Sequence, residues 1–386
     1  MKKLLAIAVI FALVTGVAFA EANIGFTLDT RFDIRGTTAS GNLPTMGGSI
    51  ADAYLQGSAT NDDGTMGGLV RIRANPHIMF NTTNTVDGTT APHNHTTSGE
   101  SQFHRAFIWW QPIDQLRIFL GKEKDGMFGS CQLSSWPYHR GAEGYLNFHD
   151  WGLWRGIFLG NWDTFGLAVS IFPVDGLTFN VVFATGNDAW PNDNDGRRAI
   201  AEQIIGYLQL TASFDIPDIG TVYAQWIGPG QNMETANNNG QFGFSFLFNM
   251  IDGLQVQAGM STRLMKDGAD MPMNFGLSAH YAADGWGVKT RNAFIIAPGV
   301  INTNRIHINV MPWVDLDALS IFCDVGFIVN LPEVGDSWVA WHFNPYVRVP
   351  IPGGRFQAGL KLNSDTRTVT DGVITYSIPM GLVFSF

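Results

Sequence analysis

The chain closes with ITYSIPMGLVFSF, residues 374–386. Ile374, Tyr376, Ile378, Met380, Leu382, Phe384 and Phe386 take every second position, and all are apolar. Thr375, Ser377, Pro379, Gly381, Val383 and Ser385 lie between them and are mostly small or polar. Successive side chains of a β-strand point to opposite faces, so the stripe is one greasy face of a strand.

The same parity recurs upstream. Ile24, Phe26, Leu28, Phe32 and Ile34 oppose Thr27, Asp29, Arg31, Asp33 and Arg35. Val339, Trp341, Phe343, Pro345, Val347 and Val349 oppose His342, Asn344, Tyr346 and Arg348. Tight Pro/Asp/Gly punctuation separates such runs, as in QPIDQLRIF, FPVDGLTFN, IPDIGTVYA, NMIDGLQVQ, AADGWGVKT, WVDLDALSI and VPIPGGRFQ. The alternate connections are longer, more polar and more variable, as in residues 186–199, 229–240 and 363–372. Short turns on one edge and long loops on the other predict an antiparallel up-and-down meander.

Composition agrees. Only 15% of residues are charged, while Phe (28), Trp (12) and Gly (44) are abundant. No run of 18 apolar residues follows the start, so no helical membrane span is expected. The opening MKKLLAIAVIFALVTGVAFA has a basic Lys2-Lys3 head, an apolar stretch and an Ala18-Phe19-Ala20 cleavage site. It reads as a cleaved secretory signal peptide, residues 1–20, with residues 21–386 as a single domain. A β-sandwich would alternate similarly, but long strands, low charge and the terminal stripe favour an all-β transmembrane barrel. Seven short turns give 16 strands, and TNDDGT (residues 60–65) as an eighth gives 18. Eighteen is slightly favoured. A bilayer offers the backbone no hydrogen bonds, so a membrane sheet must close. At 16–18 strands the bore is too wide for side chains to fill.

Parity places Arg31, Arg35, Arg71, Arg73, Arg105, Arg117, Arg263, Lys289, Arg291, Arg305, Arg348, Arg355 and Lys361 on the polar face. An arginine on the lipid face at mid-bilayer costs roughly 2–4 kcal/mol, so the lumen is their expected home. Acids on that face are few: Asp29, Asp33 and Asp324. Many of the cations fall on the first five strands or on the sixteenth and seventeenth, which closure would bring together as one basic wall. Rings of such cations favour anions. Their other expected role is to pair with loop acids and hold a loop.

With these features the chain resembles the outer-membrane porins of diderm bacteria. The resemblance rests on the signal peptide, the meander across residues 21–386 and the closing YSIPMGLVFSF. It implies short periplasmic turns, longer extracellular loops and residence in the bacterial outer membrane. It implies that Tyr376, Ile378, Met380, Leu382, Phe384 and Phe386 form the signal read by the barrel assembly machinery. It further implies that the long segment after the fifth strand, residues 123–161, folds into the pore as a constriction loop. Glu123, Asp125, Glu143 and Asp150 would then face the basic wall across a transverse field. An ordinary surface loop with two further strands is the other reading of that segment.

The expected function is a passive diffusion channel for small polar solutes or ions, with a weak preference for anions. Expected partners are outer-membrane lipid, the assembly machinery and the solutes. Porins are often homotrimers, although no sequence feature marks a trimer contact. Two rivals are an adhesion or binding barrel acting through loops such as residues 81–100, and an outer-membrane hydrolase. His149 and Asp150 suit the latter, but no nucleophile is marked and no G-x-S-x-G elbow occurs. His93 and His95 lack a clear third ligand, so no metal and no cofactor is expected. The net charge of −10 argues against nucleic acid. Cys131 and Cys323 leave a disulfide open without requiring one. Trp109, Trp110, Trp313, Trp338 and Trp341, near strand ends, are expected in the interfacial aromatic girdles.

Overall fold

A computed structural model describes residues 21–38, 44–74, 101–123, 164–184, 208–228, 238–265, 271–296, 303–332, 335–365 and 373–385. The signal peptide, His93, His95, Asp125, Cys131, Glu143, His149, Asp150, nearly all of the segment assigned to the constriction loop, and Phe386 lie outside these residues.

The regular elements among the described residues are strands. They are β1 (Glu21–Thr37), β2 (Thr45–Thr60), β3 (Met66–Ala74), β4 (Ser101–Ile113), β5 (Leu116–Glu123), β6 (Thr164–Val174) and β7 (Leu177–Ala184). Next come β8 (Leu208–Ile216), β9 (Gly220–Ile227), β10 (Asn238–Phe248), β11 (Leu254–Met265), β12 (Met273–Ala283) and β13 (Trp286–Ile296). Last are β14 (Thr303–Leu316), β15 (Leu319–Pro332), β16 (Trp338–Ile351), β17 (Gly354–Gly359), β18 (Lys361–Asp365) and β19 (Thr375–Ser385).

β17 and β18 are two halves of one strand. Gly359 faces Tyr346 and Asn363 faces His342 on one side, and Ala358 faces Met380 and Lys361 faces Ser377 on the other. The register is therefore unbroken through Leu360, whose N–H still donates to the Pro345 carbonyl at 2.9 Å. Each strand pairs antiparallel with the next, and β1 pairs with β19. The result is a closed barrel of eighteen strands with no free edge, which satisfies backbone polar groups inside a bilayer.

Eighteen rather than sixteen follows from the β2–β3 turn. Asn61 Oδ1 accepts the Met66 N–H at 2.8 Å, and Asp63 Oδ1 accepts the Thr65 N–H at 3.0 Å and its hydroxyl at 2.6 Å. Together with backbone bonds from the Asn61 N–H to the Met66 carbonyl at 2.9 Å and from the Gly64 N–H to the Asn61 carbonyl at 3.0 Å, these side-chain bonds let the chain reverse within five residues. Eight connections of two to five residues, from β2–β3 to β16–β17, share one edge of the barrel. In the two-residue Asp175-Gly176 turn, Gly176 has φ 79°, the left-handed conformation that matches the twist of a tight hairpin. Connections on the opposite edge run from five to forty residues.

Exposure alternates as parity requires. On β13, Trp286 and Phe294 are exposed while Lys289, Arg291, Ala293 and Ile295 are buried. Exposed Ile108, Leu120, Leu277, Ile308, Phe327 and Ile378 continue the apolar exterior around the barrel. The described residues form no central apolar core. Small apolar clusters sit instead on the inner wall, such as Phe119, Ala168 and Val182, or Met311, Phe322 and Tyr346. The wall at these places is stiffened by packing between side chains of neighbouring strands.

Candidate functional site: the inner wall of the barrel

Parity chooses the residues of the inner wall, and register decides which become neighbours. Two sectors result. The first runs over β6–β12 and is neutral and polar. Ser170 donates to Asn180 Oδ1 at 2.6 Å, and Asn180 Nδ2 donates to Thr211 Oγ1 at 2.9 Å. Gln209, Gln225, Ser245, Gln257, Ser261 and Ser278 continue this sector and are buried.

The second sector runs from β13 through the β19–β1 closure to β5 and carries the cations. Lys289 Nζ lies 5.4 Å from the Trp313 ring centre. Arg305 Nε donates to Asn330 Oδ1 at 2.8 Å, with its guanidinium 5.8 Å over Trp338. Arg348 sits 4.7 Å over Phe322, which stacks on Tyr346 with centroids 4.7 Å apart and planes 4° from parallel. Arg71 Nε donates to Gln56 Oε1 at 2.7 Å, with the guanidinium 5.4 Å over Tyr54, and stands directly opposite Arg105. Cation–π and amide contacts hold a guanidinium without cancelling its charge.

Arg117 is the clearest case. Its Nε and Nη2 both donate to Gln111 Oε1, at 2.9 and 2.6 Å. The Gln111 amide is itself oriented by a bond from its Nε2 to the Asp114 carbonyl at 3.2 Å, across the β4–β5 turn. The guanidinium lies 5.0 Å from the Trp109 ring centre and 5.8 Å from that of Phe172. Among the described residues it meets no carboxylate.

The thirteen basic residues singled out in the sequence are placed as follows. Arg71, Arg105, Arg117, Lys289, Arg291, Arg305, Arg348, Arg355 and Lys361 stand on the face opposite the exposed apolar belt. Arg31, Arg35, Arg73 and Arg263 occupy the same parity on β1, β3 and β11, and their side chains are outside the described part, as is that of Glu123 at the end of β5. Closure joins the two groups: Arg31 faces Gly381, which in turn faces Gln357, the partner of Arg348. Only Arg263 falls in the neutral sector. Arg117, Lys289, Arg348 and Arg355 lie within four residues of short turns and so rim one mouth.

Acids on this wall are sparse. Asp29 is buried. Asp324 lies 3.2 Å from His342 Nε2 and accepts from Asn309 Nδ2. Asn309 also donates to the Val325 carbonyl at 3.2 Å. No group of three or more His, Cys, Asp or Glu among the described residues could hold a metal ion.

The girdle assignment of the tryptophans needs correction. Trp110 and Trp341 face outward, but Trp109, Trp313 and Trp338 turn to the inner wall, where they back Arg117, Lys289 and Arg305. Their parity with Arg105, His307 and His342 was the available signal; proximity to strand ends outweighed it. Phe322, which the sequence reading did not single out, shares the parity of Asp324 on β15, and that alternation was the available signal. Cys323, its neighbour, faces the opposite way and is a free thiol.

No protein-family model matches the chain, and no curated protein does. Its fold is similar to that of solved outer-membrane proteins. The outer membrane protein OpdK of Pseudomonas aeruginosa matches with a TM-score of 0.58 at 8% identity, over 96% of this chain and 99% of that one. Acinetobacter baumannii OccAB4 gives a TM-score of 0.56 at 8% identity, over 95% and 98%. An anion-selective porin from Comamonas acidovorans gives 0.53 at 10% identity, over 95% and 99%. The chain has the outer-membrane porin fold; these identities speak to fold alone.

Proposed function

We propose that the protein is an outer-membrane porin: a passive diffusion channel for small polar solutes or ions, with a weak preference for anions. The carrying observation is Arg117, fixed on the inner wall by an amide and two aromatic faces with no carboxylate to neutralise it among the described residues. Around it the remaining cations other than Arg263 occupy one continuous arc, and a hydrogen-bonding neutral sector faces that arc. A solute carrying a carboxylate or phosphate meets positive potential on one side and amide or hydroxyl partners on the other. An eighteen-stranded barrel has the girth for a wet bore. The selectivity named for the Comamonas acidovorans porin is that protein's property; here the preference is argued from the wall itself.

This reading assigns the short-turn edge to the periplasm and the long connections to the cell exterior. Residues 1–20 then act as export signal, and residues 123–161 as an in-folded constriction carrying Glu123, Asp125, Glu143 and Asp150. The stripe of Tyr376, Ile378, Met380, Leu382, Phe384 and Phe386 is the assembly signal. The wall works by diffusion and field, with no bond made or broken.

Reconstitution in a planar bilayer under a salt gradient tests the proposal. Discrete conductance steps with a reversal potential displaced toward anions are expected. Electrical silence of folded, inserted protein refutes it.

A further inference from the structure

The outer face of β13 carries an anomaly. Asn292 points outward, in the parity of exposed Trp286 and Phe294, near the middle of the strand. Its neighbours across the sheet are Leu277 on β12 and Ile308 on β14, both among the most exposed apolar residues of the barrel. Its Nδ2 donates to Thr290 Oγ1 at 3.0 Å, two positions away on the same face. That single bond uses one amide proton. The carbonyl oxygen and second proton are left facing a hydrocarbon band, where acyl chains offer no partner.

We propose that the outer face of β12–β14 is a contact surface for a second copy of this chain, with Asn292 at its centre. The occupant follows from the chemistry and the symmetry. Copies related by an axis along the membrane normal present Asn292 at the same depth. A carboxamide is both donor and acceptor, so it is complementary to its own copy. Polar side chains that bond across protein surfaces within a membrane stabilise association for the same reason. Thr290 is flanked by Ala279 and Val310, smaller than the Leu277, Ile308 and Phe294 around Asn292, which leaves room for a neighbouring wall to approach. The inference needs the barrel to lie in a membrane but is independent of the channel reading.

The test uses full-length protein in native membranes with Cys131→Ser and Cys323→Ser. Asn292→Cys treated with a short bismaleimide should give a cross-linked band several-fold stronger than Leu120→Cys, an outward position on β5. Equal cross-linking at both sites means random collision and overturns the proposal. In parallel, Asn292→Leu should move the wild-type oligomer toward monomer in native mass spectrometry from mild detergent. Heat-modifiable mobility and conductance should be unchanged, which separates lost association from lost folding and from failure of the channel reading. A wild type that is monomeric throughout, or an oligomer indifferent to Asn292→Leu, sinks the idea.

Discussion

Arg117 donates twice to one oxygen of Gln111, across the turn that joins β4 to β5. The amide cannot rotate away, because its other end is tied to the Asp114 carbonyl. A full positive charge is thus pinned at the short-turn mouth. At about 4 Å in a water-like dielectric an anion gains about 1 kcal/mol from such a charge, roughly fivefold in occupancy. Arg117→Gln should therefore lower anion-over-cation permeability by up to that factor with little change in unit conductance. Gln111→Leu should weaken the preference less, by freeing the guanidinium. An unmoved reversal potential in Arg117→Gln would remove the residue from the permeation path.

Ile308 is on the exposed belt and Asn309, next to it, is buried on the inner wall. Ile308→Arg should cost roughly 2–4 kcal/mol, the penalty for a cation on the lipid face near mid-bilayer. Ile308→Leu should cost under about 1.5 kcal/mol, because volume and character are kept. Urea unfolding in lipid vesicles measures both; equal costs would contradict the assignment of faces.

Gly354 stands where β17 leaves its turn and packs on β19. A Cβ there would lie 2.0 Å from the Val383 carbonyl oxygen, a backbone atom that cannot swing aside. Gly354→Ala should destabilise the barrel by roughly 1–3 kcal/mol, the usual cost of overpacking. A lowered temperature for the heat-modifiable gel shift is the expected readout.

In the β2–β3 turn, hydrogen bonds from the Thr65 hydroxyl and then its N–H hold the Asp63 carboxyl below its ordinary value of 3.8. A depressed acid contributes stability that is present above the unfolded pKa and lost as pH falls through the folded one. The turn should therefore tighten above about pH 4 and loosen in stronger acid, with Thr65→Ala returning Asp63 toward its ordinary value. Side-chain chemical shifts of Asp63 followed against pH report this; identical midpoints with and without Thr65 would refute it.

The local period of two was enough to read the barrel, its alternating faces and the seven recurrent turns, because alternation is a property of one strand and needs no partner. It also put Lys289 and Arg291 on the face opposite Phe294. Strand number was less legible: it hung on Asn61–Thr65, a five-residue turn whose Asp-Gly pair carries the usual signature but whose reversal is fixed by side-chain hydrogen bonds. The contacts that make the wall a candidate site belong to register. Arg71 stands opposite Arg105 because the β3–β4 register that pairs Met66 with Trp110 runs unbroken to them, and Arg348 meets Phe322 because β15 and β16 align as they do. Trp109, Trp313 and Trp338 turn inward because each shares the parity of an inner-wall residue on its own strand, and register then sets each beside a cation of another strand. So the sequence by itself determined which way side chains point along each strand. Only closure of β1 on β19, pairing residues more than three hundred positions apart, decided which charges share a wall.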